Sequence, residues 1–387
     1  MAAIGVAVVG IGFIGPVHIE ALRRLGHRVV GLLGSNSEKS SAAARDLGIP
    51  RGYASLAELL DDPLVQVVHL ASPNVHHYEQ CERVLNAGKH VVCEKPLGMT
   101  TAETAGLVAL ARKQGVVAAV NYNVRFYPLV LEARERRRAG HLGRIFHVTG
   151  DYFQDWLLLP SDFNWRVLAE DGGALRAVAD IGTHWLDTVC FICGLEVEAV
   201  FADLKTVHPI RQKARVRIQT QTFSGDTAVS QKAEHVSVTT EDHASILLRF
   251  RGGARGSFTV SQVAAGRKNA LRFDIAGETS SFGWNSEEPN SLHIGYRDRP
   301  NKLLSRDPSL LAPRVRPYAN YPGGHAEGFP DTFKQLYRAI YADVERALAG
   351  QPREADPLYA TFADGHREVQ ICEAILQSHA TERWVGV

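Results

Sequence analysis

Val6, Ala7, Val8 and Val9 run directly into Gly10, Ile11, Gly12, Phe13, Ile14 and Gly15, and Pro16 follows at once. An uninterrupted apolar run of this length reads as a buried strand, and a proline suits the first turn of a helix. The segment is therefore predicted as strand, tight turn and helix, with Val17, Ala21, Leu22 and Leu25 at helical spacing. In that setting Gly10 permits the turn, Gly12 lets the backbone approach a pyrophosphate, and Gly15 lets helix and strand touch. The positive end of the helix then faces the phosphates. Gly10, Gly12, Phe13, Ile14 and Gly15 are thus candidate cofactor-binding residues for a dinucleotide.

Strand and helix patterns continue to alternate after this turn. Strands are predicted at 28–33, 65–71, 90–93 and 116–121, with helices at 42–47, 56–60, 78–87 and 102–114. Alternation of this kind implies an α/β fold, here a Rossmann doubly wound parallel sheet over residues 1–124. Ligands of such sheets bind at the carboxyl ends of the strands. Polar residues gather at those ends: Ser72, Pro73 and Asn74 with His77 behind them, Glu94, Lys95 and Pro96, and Asn121 to Asn123. Lys95 follows the strand His90, Val91, Val92 directly, so its ammonium reads as a group able to act on a bound small molecule, or else as a surface lysine.

A helix rich in Arg134, Arg136, Arg137 and Arg138 opens the remainder, residues 125–387. Longer strands follow at 145–153, 199–206, 245–250, 256–262 and 271–276, and helices return at 331–349 and 363–378. Strands in succession with few helices indicate a C-terminal α+β domain with an open, largely antiparallel sheet. The stretch 208–234 is polar and aperiodic, includes Gly225 and Asp226, and reads as a long loop or hairpin over the site or at a subunit contact. A chain of 387 residues is long for one core, which agrees with two domains.

Within this half, Asp180, Ile181, Gly182, Thr183, His184, Trp185, Leu186, Asp187 carries a second constellation. If a helix starts near Asp180, then 180, 184, 187 and 191 share one face and Ile181, Trp185, Val189 and Ile192 the opposite apolar one. A carboxylate beside an imidazole fixes its tautomer and favours its charged form, which suits proton transfer. The alternative is that Asp180 caps the helix and His184 is a satisfied buried histidine.

The glycine turn, the Ser72, Pro73, Asn74 turn with His77, the Glu94, Lys95, Pro96 tripeptide and the Asp180 to Asp187 segment, preceded by Gly172 and Gly173, together resemble the Gfo/Idh/MocA oxidoreductases. The resemblance spans nearly the whole chain and, through Gln154, Asp155, Trp156, Trp165 and Arg166, is greatest to the sugar and glycoside dehydrogenases of that family. It implies an NAD- or NADP-dependent enzyme that moves a hydride between the nicotinamide and a hydroxyl or carbonyl carbon of a sugar, sugar derivative or cyclic polyol. Lys95 would polarise the oxygen, His184 would be general acid and base, and Asp180 would hold the substrate or His184. Ser72, Pro73, Asn74, His77, Glu94, Lys95, Pro96 and Asn123 would line the cofactor site, with Glu94 and Pro96 shaping its nicotinamide side. Tyr152, Gln154, Asp155, Trp165 and Arg166 are candidates for hydroxyl recognition, although Trp165 reads equally well as core. A redox-neutral glycosidase or lyase using the same cofactor, and a nucleotide sensor without catalysis, are the other classes the pattern admits.

Where an NAD-binding chain normally places an acid after its second strand, this one reads Leu33, Gly34, Ser35, Asn36, Ser37, Glu38, Lys39. Losing that carboxylate removes an acceptor for the ribose diol and a repulsion against a 2′-phosphate. Ser35, Asn36 and Lys39 could hold a phosphate, and Glu38 could serve the ribose instead, so use of both cofactors is expected. With 43 basic and 42 acidic side chains, nothing favours a nucleic-acid partner, and the arginine helix reads as a solvated face. No apolar run has the length of a membrane span and no secretion signal is apparent, so a cytoplasmic protein is expected. Cys190 and Cys193 look like small buried residues among five cysteines, and the sixteen histidines lack metal-binding spacing, so no metal is expected. An open sheet with one uncovered face predicts a homodimer or homotetramer.

Overall fold

The structure, a computed structural model, describes residues 4–214 and 233–387. The chain forms two compact units, one of Met1–Asn123 with Phe329–Val369, the other of Val124–Gly328 with Gln370–Val387.

In the first unit strands β1 (Gly5–Val9), β2 (Arg28–Leu33), β3 (Arg51–Gly52), β4 (Val67–Leu70), β5 (His90–Cys93) and β6 (Ala118–Val120) alternate with helices. These are α1 (Ile14–Arg24), α2 (Ser37–Asp46), α3 (Leu56–Asp61), α4 (His77–Asn86) and α5 (Thr101–Gln114). The strands run parallel in the order β6, β5, β4, β1, β2, β3, and Ala360–Thr361 adds an antiparallel rung beside β6. Helices cover both faces, which is why Val6 to Val8, Val67, Val68 and Val91 to Cys93 are wholly buried and read as continuous apolar runs rather than alternating ones. Local signals set the helix ends. Thr100 and Glu103 form a reciprocal capping box at the start of α5, and left-handed Gly115 ends it.

The sequence pattern places everything after residue 124 in a second domain, whereas Phe329–Val369 packs with the first unit. The helix Phe329–Leu348 lies against α1. It buries Phe333, Leu336, Tyr337, Ile340 and Tyr341, and its aromatic rings meet His18 and His69. That amphipathic face has its apolar complement on α1, which explains the return.

The second unit is built on a sheet whose described strands run in the order Lys302–Ser305, Ser291–Gly295, Ser281–Asn285, Ala270–Gly277, Ile145–Phe153, Arg255–Ser261, His243–Phe250, Val197–Lys205, Val385–Gly386. It is antiparallel except where Ile145–Phe153 pairs in parallel with Arg255–Ser261. The helix Thr183–Cys193 covers one face. Trp185 stacks on Phe258 with ring centroids 4.6 Å apart and donates from Nε1 to Arg272 O at 2.9 Å. Gly150 makes this contact possible, because a Cβ there would sit 2.4 Å from Trp185 Nε1. On the opposite face the register aligns Phe201, Leu247, Ser257, Thr149, Asp274, Gly283, His293 and Leu303 in one row. Leu247 and Leu303 are exposed in it.

The three strands between 281 and 305 escaped the sequence reading, being short and interrupted by Gly283 and polar residues. Ile210–Ala214 and Ala233–Ser237 pair antiparallel, and the rest of the predicted loop or hairpin, with Gly225 and Asp226, lies outside the described residues. The arginine helix, Pro128–Arg138, is not a uniformly solvated face. Arg134 is buried over the Phe191 ring, and Arg136 pairs with Glu132 at 2.8 Å. All five cysteines are buried outside any disulfide, and burial pushes the Cys193 thiol up to about 12. Among the described residues no helix is long and apolar enough to cross a membrane, and no group of three or more His, Cys, Asp or Glu is arranged to hold a metal ion.

Candidate active site

Parallel register aligns the strand ends of the first unit. Val9 pairs with Leu33 and Leu70, Leu70 with Cys93, and Cys93 with Val120. The ladder then extends one residue beyond each strand: Gly10 N donates to Leu33 O at 2.8 Å, Ala71 N to Val9 O at 2.7 Å, Glu94 N to Leu70 O at 2.8 Å and Asn121 N to Cys93 O at 2.8 Å. The glycine turn, the Ser72 to Asn74 turn and the Glu94 to Pro96 tripeptide therefore leave the sheet along one edge. Each glycine has its own reason. At Gly10, with φ +97°, a Cβ would lie 2.4 Å from Ala71 O; at Gly15 it would lie 2.1 Å from Gly10 O; at Gly12 it would meet nothing within 4 Å. Gly12 thus opens onto free space at the start of α1, where a Cβ would only obstruct an approaching phosphate. Phe13 is exposed and Ile14 partly so beside it. These residues fit a dinucleotide.

Several candidates serve this edge from within. His77 is fully buried, with Nδ1 2.7 Å from Pro96 O and Nε2 2.9 Å from Ser72 O, so it braces the two turns against each other through their main chains. Burial lowers its pKa, and the carbonyl contacts oppose that in part. Ser72 Oγ donates to Gln80 Oε1 at 2.6 Å. Glu94 turns inward, accepting from His18 Nε2 at 3.0 Å and from Asn121 Nδ2. Asn123 is buried and donates from Nδ2 to Thr332 Oγ1 at 2.8 Å. The amides of Asn121 and Asn123, read from sequence as facing the crevice, are thus engaged with the protein. Lys95 is partly buried, and the Lys95–Pro96 peptide bond is cis. After β2, Asn36 Oδ1 caps α2 by accepting Lys39 N at 2.8 Å, and Lys39 Nζ donates to Ser35 Oγ at 3.1 Å. Ser35, Asn36, Glu38 and Lys39 are all exposed.

In the second unit the Asp180 segment is wound differently from the expectation. Val178–Gly182 is a π-helical turn leading into the α-helix Thr183–Cys193. Widened turns of this kind recur at functional sites. Asp180 caps neither segment: its Oδ2 accepts from Gln262 Nε2 at 2.8 Å and its Oδ1 lies 3.4 Å from Arg166 Nε. At the N-terminal end the buried Glu241 accepts from Arg176 N at 2.9 Å and Val178 N at 2.8 Å. Desolvation raises the Glu241 pKa, and those backbone bonds pull it back in part. The helix is buried on nearly all sides rather than amphipathic, and the last acid of the motif, Asp187, is engaged by Arg125, whose Nε donates to Oδ2 at 2.8 Å.

His184 is buried, its ring centroid 6.3 Å from that of Tyr152. Burial pushes the Tyr152 phenol up, with Tyr127 and Asp180 adding to the shift. Tyr152 thus remains a neutral donor, and it donates to Asn269 Oδ1 at 2.7 Å. Gln154 Nε2 reaches the same oxygen at 2.9 Å, while Gln154 Oε1 accepts from Trp156 Nε1 at 2.8 Å. Asp155 pairs with Lys268 at 2.7 Å. Trp165 is partly exposed rather than core and carries the Arg166 guanidinium 4.4 Å above its ring. Asp180, His184, Tyr152 and Arg166 are thereby gathered, with Gln154 joined through Asn269. Asp155 instead faces the 266–268 turn. Gln262, Asn269, Glu241 and His18 were missed from sequence. Position just beyond a strand was the available signal for Gln262, and the inner face of α1 was the signal for His18.

Residues 4–122 match the oxidoreductase family of NAD-binding Rossmann fold named for Gfo, Idh and MocA, and residues 130–282 match the C-terminal domain of the same family. Levoglucosan dehydrogenase of Pseudarthrobacter phenanthrenivorans is 31% identical over 91% of this chain and 88% of its own length. An oxidoreductase domain protein from Kribbella flavida superposes with a TM-score of 0.87 at 30% identity, covering 100% of both chains. A levoglucosan dehydrogenase in complex with NADH and levoglucosan superposes with a TM-score of 0.85 at 27% identity, covering 100% of this chain and 99% of that one. The chain belongs to the Gfo/Idh/MocA family of oxidoreductases with an NAD-binding Rossmann fold.

Proposed function

We propose that the protein is a dehydrogenase of a sugar, sugar derivative or cyclic polyol, with Lys95, Asp180 and His184 as its catalytic set. The observation that carries this reading is the strand-edge ladder that sets Glu94, Lys95 and Pro96 beside the glycine turn. A bound nicotinamide supplies the hydride acceptor or donor. Gly10, Gly12, Phe13, Ile14 and Gly15 would hold the dinucleotide, with the Ser72 to Asn74 turn, Lys95 and Pro96 beside them and Ser35, Asn36 and Lys39 at the ribose end. Oxidation of an alcohol removes its proton as the hydride departs, so a cation and a base are needed at one oxygen. Lys95 donates to that oxygen, His184 takes the proton, and Asp180 orients the substrate or His184. Tyr152, Gln154 and Arg166 offer donors suited to neighbouring hydroxyls. The exposed acids and bases after β2 support use of both NAD and NADP. Exposed Leu247 and Leu303 on the open sheet face support a homodimer or homotetramer assembled there.

The test is a screen of sugars and inositols with each nicotinamide, followed as reduced cofactor at 340 nm. His184→Ala and Lys95→Met should abolish the turnover found while leaving cofactor binding nearly intact. Retained turnover in either variant would overturn the assignment, and release of an aglycone without net reduction would point to the redox-neutral glycosidase chemistry.

A further inference from the structure

We propose that Gln262 is a positioning residue that sets the orientation and charge of the Asp180 carboxylate. The inference rests on the reading of Asp180 as part of the catalytic set. Its two oxygens are held by different elements and in different ways. Arg166 is the looser partner, its Nε 3.4 Å from Oδ1, with a side chain that keeps 23% exposure and rests on the Trp165 ring. Gln262 is the rigid one. Its side chain has no solvent exposure, its N donates to Asp242 O at 3.0 Å, its O accepts from Leu157 N at 3.2 Å, and its Nε2 donates to Asp180 Oδ2 at 2.8 Å.

An ionised carboxylate only accepts, which fixes the amide with nitrogen toward Asp180 and oxygen away from it. That oxygen is buried and accepts no hydrogen bond from the described residues. A buried acceptor left this way is costly, so packing alone would favour an apolar side chain at 262. The bond to Asp180 is what the glutamine supplies instead. A donated N–H favours the charged form of the acid, and a neutral amide does so without adding a titrating group. Among the described residues, the charged or titratable groups near the turn include Arg166, Tyr152 and His184, with Glu241, Arg176 and Asp242 at its N-terminal end.

Gln262→Glu is isosteric and puts two carboxylates where the hydrogen bond was, so the pair must share a proton. The Asp180 carboxyl is followed by carbon-13 NMR of the full chain, assigned by difference from Asp180→Asn, and turnover against pH is measured with the best sugar or polyol of the screen. We expect the Asp180 titration in Gln262→Glu to move up by about one pH unit or more, with the acid limb of kcat moving alongside it. Gln262→Leu should lose about tenfold in kcat while its thermal midpoint holds or rises. An Asp180 titration in Gln262→Glu that superimposes on wild type, or wild-type kcat in Gln262→Leu, overturns the inference. Failure of the underlying reading looks different: Asp180→Asn then retains full turnover, whatever the titration shows.

Discussion

His18 Nε2 lies 3.0 Å from Glu94 Oε1, joining the first helix after the glycine turn to the tripeptide that carries Lys95. Because the carboxylate only accepts, His18 must donate from Nε2. Its Nδ1 is 2.9 Å from His69 Nδ1, and His69 Nε2 is 2.9 Å from Tyr341 OH. Burial holds the His69 imidazole neutral, well below its ordinary pKa. Where His18 Nδ1 accepts from His69 Nδ1, the donors run one way, from Tyr341 to His69 to His18 to Glu94. His18 and His69 have no solvent exposure, so the chain is an internal brace on the side chain of Glu94, the residue that precedes Lys95.

His18→Phe removes a donor from a buried carboxylate and leaves His69 without its partner. Loss of one member of such a network costs roughly ~1–3 kcal/mol, more when the acceptor is charged. Urea unfolding should show a midpoint lowered accordingly. A midpoint equal to wild type would mean that the brace adds nothing to the fold.

What the sequence disclosed, and what it did not, follows from the range of the forces involved. The Rossmann alternation was legible because the central strands are buried on both faces and because Gly10 and Gly15 each answer a backbone contact a few residues away or at a strand end. The pairing of Asp180 was not. Its partners Gln262 and Arg166 come from separate elements, and the local pattern could only offer His184 as a neighbour four residues on. The π-helical turn is likewise invisible to a 3.6-residue period. Arg134 looked solvated because charge is read locally, whereas its burial depends on Phe191 from another helix. Phe329–Leu348 was recognised as a helix, but its unit was misassigned because chain order says nothing about which apolar face it meets.

Cofactor choice should follow the exposed segment after β2. With no acid at Ser35 or Asn36, and Lys39 Nζ 3.1 Å from Ser35 Oγ, neither cofactor meets a strong repulsion. The dissociation constants of NAD and NADP should fall within about a hundredfold of each other, about 2.7 kcal/mol. Ser35→Asp would supply an acceptor to the ribose diol and repel a 2′-phosphate, so NADP should weaken by about tenfold or more while NAD holds. Calorimetric titration of both cofactors decides it, and unchanged NADP affinity in the variant would place the ribose end elsewhere.

Acid should destabilise the first unit through its buried histidines. Burial, helped by the Arg353 charge, lowers His90 from 6.5 to about 4, and its Nδ1 accepts Val117 N at 2.9 Å, which needs the unprotonated nitrogen. A depressed native pKa means that the unfolded chain binds the proton first. The stability is therefore complete above pH 6.5 and is lost as pH falls toward about 4. For His90 alone the loss is roughly ~3 kcal/mol, and His69 adds in the same direction. His90→Asn keeps an acceptor without the titration, so unfolding free energies of wild type and variant should converge across this window. Parallel curves would contradict the assignment.

The two acids of the Asp180 to Asp187 motif should separate by phenotype. Asp187 is buried and accepts from Arg125 Nε at 2.8 Å, while the Arg125 guanidinium lies 4.6 Å over the Phe191 ring. Asp187→Ala strands a buried guanidinium, and breaking a pair of this kind from one side costs roughly ~3–5 kcal/mol. The double variant Asp187→Leu, Arg125→Met removes both charges together and should recover much of that loss, because an apolar pair has no desolvation to offset. Neither change touches the carboxylate of Asp180, so at temperatures where the variants stay folded the pH dependence of kcat should match wild type. Asp180→Asn should do the reverse, keeping the unfolding free energy within about 1 kcal/mol of wild type while turnover collapses. Chemical denaturation together with pH profiles distinguishes the two, and a displaced profile in the Asp187 variants would give that acid a part in the reaction.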